Sequence, residues 1–157
     1  MNQWRKRMPV MKMNSNEFRQ MVRELAMDDR VQKMKTFPQH GSVSTYGHCL
    51  RVAFLSYRIA RRFGICIDEE AMVRGALLHD YYLYDWHEPG HTRHAAGHAA
   101  AAAENARRDF DIGDREFDII RSHMWPISPG NYPGSREALI VCAADKLCTL
   151  EETLFMR

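Results

Sequence analysis

Gly75–Asp85, GALLHDYYLYD, drives an apolar run, Ala76-Leu77-Leu78, straight into the adjacent pair His79-Asp80. An ionised carboxylate left unpaired in an apolar interior costs many kcal/mol, so something must compensate for Asp80. The residues just upstream say which way that carboxylate points. Asp68, Glu69 and Glu70 suit the positive end of a helix dipole, and Met72, Val73, Ala76 and Leu77 recur at helical spacing. The spacing predicts a helix that delivers His79 and Asp80 at its last turn, stacked on Val73 and Ala76 and facing the core.

Working outward, the preceding segment reads as a helix from about Val43 to Phe63, capped by Ser42 or Ser44 and stopped by Gly64. Its inward stripe is His48, Val52, Leu55, Ile59 and Phe63, which puts His48 on the buried face. Before it, Asn14 or Ser15 opens a helix to about Lys35, and Phe37-Pro38 stops it. Gln39–Gly41 is then loop, with His40 a solvated surface residue. After the His-Asp pair, Tyr81–Arg93 is aromatic, charged and broken by Pro89-Gly90, as at the mouth of a pocket. Tyr81, Tyr82, Tyr84 and Trp86 either wall that pocket or cap the core.

Thr92 caps a helix from His94 to Phe110, with His94 and His98 one turn apart on one face. Asp114 caps the next, which carries Phe117, Ile119, Ile120 and His123 and ends at Trp125-Pro126. Ser135 starts the last helix, Arg136 to about Phe155, whose inward stripe is Ala138, Val141, Cys142, Asp145, Cys148 and Thr149. No stretch alternates as a strand does. The expected fold is all-α, a compact single-domain helical bundle of five to seven helices.

The 157 residues suit one domain, with Met1–Met13 a loose arm and 14–157 the domain proper. A net charge of +2 argues against nucleic acid as a partner, and no 18-residue apolar run exists to span a membrane. Four cysteines (Cys49, Cys66, Cys142, Cys148) lack CxxC spacing and read as reduced, buried thiols of a cytoplasmic protein. Oligomeric state leaves no mark in the sequence.

Six inward residues remain: His48, His79, Asp80, His98, His123 and Asp145. Mixed nitrogen and oxygen donors suit Fe, Mn, Zn or Co better than Mg or Ca. Six donors are too many for one catalytic ion that keeps open positions; two ions sharing a carboxylate use them naturally, and Asp80 is the expected bridge.

The ordered series His48, His79-Asp80, Asp145 resembles the H…HD…D pattern of the HD-domain superfamily of metal-dependent phosphohydrolases, over roughly Val43 to Glu152. SHMWP at Ser122–Pro126 and AADKLCTLEE at Ala143–Glu152 resemble a subgroup of small stand-alone bacterial members. The resemblance implies His48, His79, Asp80 and Asp145 around one metal, and His98, His123 and the second Asp80 oxygen around another. Ala99 stands where relatives often have proline, which leaves His94 as an alternative ligand to His98. Lys146 resembles the basic residue after the family's last aspartate and is expected either to pair with Asp80 or to meet a substrate phosphate. The implied activity is hydrolysis of a small phosphorylated substrate, a phosphate ester or nucleotide, by an activated water. His94, His87 or a metal-bound water would supply the leaving group's proton. Relatives with the same six-ligand pattern that use two irons to activate oxygen define one alternative. A nucleotide-binding module without turnover is the other.

Overall fold

Asp28 interrupts the first helical run. In the computed structural model, which describes residues 15–90 and 94–156, its backbone is extended and its carboxylate accepts a hydrogen bond from Arg30 N at 2.8 Å. The single helix expected to Lys35 is therefore split into α1 (Ser15–Met27), α2 (Asp29–Gln32) and a 3-10 turn, Lys33–Thr36. An aspartate that bonds its own downstream backbone competes with continued helix and starts a new one instead. The N-terminal arm (1–13), Asn14, His91, Thr92 and the side chain of His94 lie outside the described residues.

The expected loop at Gln39–Gly41 is instead the head of a small antiparallel hairpin, β1 (Pro38–His40) and β2 (Val43–Ser44), turning at Gly41 with φ +56°. Ser42 N, in its turn, bonds Met156 O at 3.0 Å, which ties the hairpin to the far end of the chain. Pairing this short carries no periodic signal; it is stabilised by what it leans on.

α3 (Thr45–Phe63) begins where Ser44 Oγ accepts from Gly47 N and ends at Gly64, φ +60°. Its buried face is centred on Cys49, Val52, Ala53, Ser56 and Tyr57, so Leu55 and Ile59 fall on the rim. Phe63, expected inside, is 73% exposed because the last turn overhangs the core. α4 (Glu69–Leu78), capped by Asp68 Oδ1 on Ala71 N, is the central element, packed on α3, α6 and α7. Met72, Val73, Ala76, Leu77 and Leu78 are wholly buried there. Gly75 lets α4 approach α6 closely: a Cβ at this position would stand 2.9 Å from Ile119 Cγ2.

α5 (His94–Asp109) packs on α6 and buries Ala99, Ala102, Ala103 and Ala106. α6 (Asp114–Ser122) is capped one residue earlier than expected, where Gly113 N donates to Glu116 Oε2 at 2.9 Å. α7 (Arg136–Phe155) starts under Ser135 Oγ, which accepts from Ala138 N. Among the described residues the architecture is all-α apart from the hairpin. No helix among the described residues is long and apolar enough to cross a membrane. Cys49, Cys142 and Cys148 are buried free thiols as expected, whereas Cys66 is exposed between α3 and α4.

Candidate metal centre

Each of the six inward residues sits where a helix ends or faces the centre of the bundle. His79 is the residue that closes α4, and Asp80 follows in the turn. His123 closes α6 in the same way. In both, the ring Nδ1 lies 2.7 Å from a carbonyl one turn back, Ala76 O for His79 and Ile120 O for His123. A carbonyl only accepts, so Nδ1 carries the proton and Nε2 is aimed at the centre. His48 on α3 and Asp145 on α7 face the same spot, and His98 reaches it from α5. All six are buried.

Asp80 divides this set in two. Its Oδ1 lies 3.3 Å from both His98 Nε2 and His123 Nε2, while its Oδ2 lies 3.4 Å from His79 Nε2 and 3.9 Å from His48 Nε2. Asp145 Oδ1 completes the second group, 3.0 Å from His48 Nε2 and 3.6 Å from His79 Nε2. The structure thus gathers two clusters, His48–His79–Asp145 and Asp80–His98–His123, whose donor atoms lie within 4.8 Å of one another. Cys49, read from sequence only as a buried thiol, groups in the same way with His79 and Asp80, its Sγ within 4.8 Å of a donor atom of each.

Burial raises the pKa of both aspartates, but the imidazoles around them more than offset it. His79, His123 and His98 hold Asp80 well below the usual carboxylate range, and His48 and His79 do the same for Asp145. Burial opposes a charge on His48, yet Asp145 and Glu152 push its imidazole up to about 10. Both acids are thereby held toward the anionic form, while burial pushes the His123 imidazole down.

Several neighbours carry little or no signal in the sequence. Glu152, wholly buried, accepts from His48 Nδ1 at 2.8 Å and from Arg51 Nε at 3.0 Å. It stands two turns beyond Asp145, and that spacing, inside the run EE, is the one clue the sequence held. Gln39, from β1, donates to Asp80 Oδ2 at 2.6 Å. His40 is not a solvated loop residue: it is half-buried, its ring 5.6 Å from that of His48, and it lines the cavity over the centre.

That cavity, about 400 Å³, reaches Asp80, His98, His123 and Asp145 at its floor. Trp86, Met124, Ile127 and Leu150 form much of its wall. Tyr81 and Tyr82 belong to the core instead, with Tyr81 Oη donating to Asp109. Lys146 lines the cavity but does not pair with Asp80, as one expectation had it. Its Nζ donates to His123 O at 2.6 Å and lies 3.4 Å from Asp145 Oδ2, because one residue after Asp145 on α7 points it toward the end of α6. His87 is exposed and bonded to Asp85.

Whether this donor set fits metal ions is answered by two buried atoms. His79 Nε2 and Asp80 Oδ1 have no hydrogen-bond partner, although both face the centre. Orphaned polar atoms at such depth are costly unless a cation takes them. Four imidazoles, three of them fixed from behind, and two carboxylates are also the donors transition metals prefer. The residues fit.

Searches of curated proteins and of solved structures found no significant match to the chain. The family model described as HD domain matches residues 45–150, a span that includes all six donors from His48 to Asp145, and the chain belongs to the HD-domain family.

Proposed function

We propose that this HD-domain protein hydrolyses a phosphate ester or nucleotide, with two divalent transition-metal ions (Fe, Mn, Zn or Co) as cofactors. The observation that carries the reading is the split of Asp80, one oxygen toward His98 and His123, the other toward His48 and His79. One ion would be held by His48, His79, Asp145 and Asp80, the other by His98, His123 and Asp80. When bound, such ions supply a Lewis-acidic centre that activates water near neutral pH and offsets charge building on phosphorus.

The chain's own groups do the rest. Glu152 and the carbonyls of Ala76 and Ile120 hold three rings in place before substrate arrives. Lys146 places an ammonium at the cavity wall beside Asp145, where it can meet a phosphate oxygen. Trp86, Ile127 and Leu150 offer an apolar wall to the organic part of the ester and limit water above the centre. The proton for the leaving oxygen would come from His94, whose side chain lies outside the described residues, from His87 or from a metal-bound water; above the floor, His40 adds an imidazole to the cavity wall.

Metal-loaded protein tested against a panel of phosphate esters and nucleotides is the direct experiment. Phosphate release that a chelator abolishes and Mn(II) or Fe(II) restores is the expected result. Turnover that needs oxygen and releases no phosphate would overturn it in favour of an oxygenase. A nucleotide that raises the melting temperature without being cleaved would point to a binding module.

A further inference from the structure

A half-turn of the Asp80 carboxylate only exchanges two equivalent oxygens, but intermediate angles turn both of them away from the two pairs of imidazoles. The terminal torsion of an aspartate is a broad, two-fold well, and the bridging reading requires it to be fixed. The geometry points to Gln39 as the residue that fixes it: a positioning residue that holds Asp80 in the bridging orientation and so completes the second metal site. The inference rests on the two-ion reading above.

The hydrogen bonds leave Gln39 no freedom. An ionised carboxylate only accepts, so the amide NH2 must face Asp80, and it does so at 2.6 Å, a short charge-assisted contact. Oε1 is thereby turned to the opposite side, where Tyr82 Oη donates at 2.6 Å and Thr45 Oγ1 lies at 3.1 Å. Gln39, Thr45 and Tyr82 are all buried, and they come from β1, the start of α3 and the turn after α4. Three elements thus meet at the Gln39 amide, and its NH2 engages one carboxylate oxygen. Oδ2 is engaged by this network, and Oδ1, which makes no hydrogen bond, faces His98 Nε2 and His123 Nε2 at 3.3 Å.

The asymmetry has a consequence for the order of loading. The cluster of His48, His79 and Asp145 keeps three donors, one of them anionic, whatever Asp80 does. The cluster of His98 and His123 has Asp80 as its one carboxylate. Removing the Gln39 amide should therefore weaken the second ion and spare the first.

Titrating metal-free full-length protein with Co(II), read by calorimetry and visible absorption, tests this. Wild type should take up two equivalents in separable steps. Gln39→Leu, similar in size but with no amide, should bind the first as wild type and the second about 10- to 100-fold more weakly. Tyr82→Phe, which leaves the Asp80 bond but frees the amide, should shift the second step in the same direction by less. It decides the matter if Gln39→Leu does not fold. A purely structural role would lower the melting temperature and leave both steps in place, and that result overturns the inference. Wild-type protein that takes up a single equivalent overturns the two-ion reading and the inference with it, whereas two wild-type steps unchanged in the variants overturn the inference alone.

Discussion

Each oxygen of Asp80 faces a different pair of imidazoles, and three of the rings are held from behind. Glu152 holds His48 through a buried hydrogen bond. Replacing it with glutamine should reduce affinity for the ion at His48 by about 10- to 100-fold, measured by competition with a chelator of known affinity. Lys146 should behave differently. Lys146→Ala removes a charged donor from the cavity wall but no ligand, so kcat/KM for a phosphate ester should fall about 10- to 100-fold while metal content stays at the wild-type ratio. That six polar residues turn inward was legible in the sequence, because a buried acid or an inward histidine breaks an apolar stripe. Glu152 was not, since a glutamate pair near a helix end looks like ordinary surface until α3 is packed against it. Gln39 and His40 were not either: they sit in a hairpin too short to carry a period.

At the scale of elements, α4 is the support for the centre, and its approach to α6 sets the distance between His79 and His123, whose ring centroids stand 4.8 Å apart. Gly75→Ala would push a methyl group to 2.9 Å from Ile119 Cγ2. Overpacking of this kind should destabilise the fold by about 1–3 kcal/mol, seen as a lower midpoint in urea, and should loosen metal binding as well. Helix starts were well marked, with Ser44, Asp68 and Ser135 capping as expected. Asp28 escaped notice because a cap inside a continuous amphipathic run reads as one more polar residue. Phe63 misled for the opposite reason: its spacing continues the stripe of α3 beyond the point where there is core to cover.

For the molecule as a whole, stability should depend on acid through buried carboxylates. Burial would raise the Glu137 pKa, but the Asp68 backbone N–H and the Arg115 guanidinium, each 2.7 Å from Oε1, hold it below its ordinary 4.5. A folded pKa below the unfolded one means the stabilisation is complete above pH 4.5 and drains away as pH falls through the folded value. Asp80 and Asp145 add to the same acid limb. Urea unfolding of metal-free Glu137→Gln should show a lower midpoint than wild type at neutral pH and a shallower loss below pH 4.5. An acid limb identical to wild type would contradict that assignment.

The two-ion reading places one cation on either side of Asp80. Crystals of Mn(II)- or Fe(II)-loaded protein, with anomalous diffraction recorded at the metal's absorption edge, address it directly. The account predicts two peaks flanking Asp80, one among His48, His79 and Asp145 and the other between His98 and His123. A single peak, or none within this cluster under saturating metal, would contradict it.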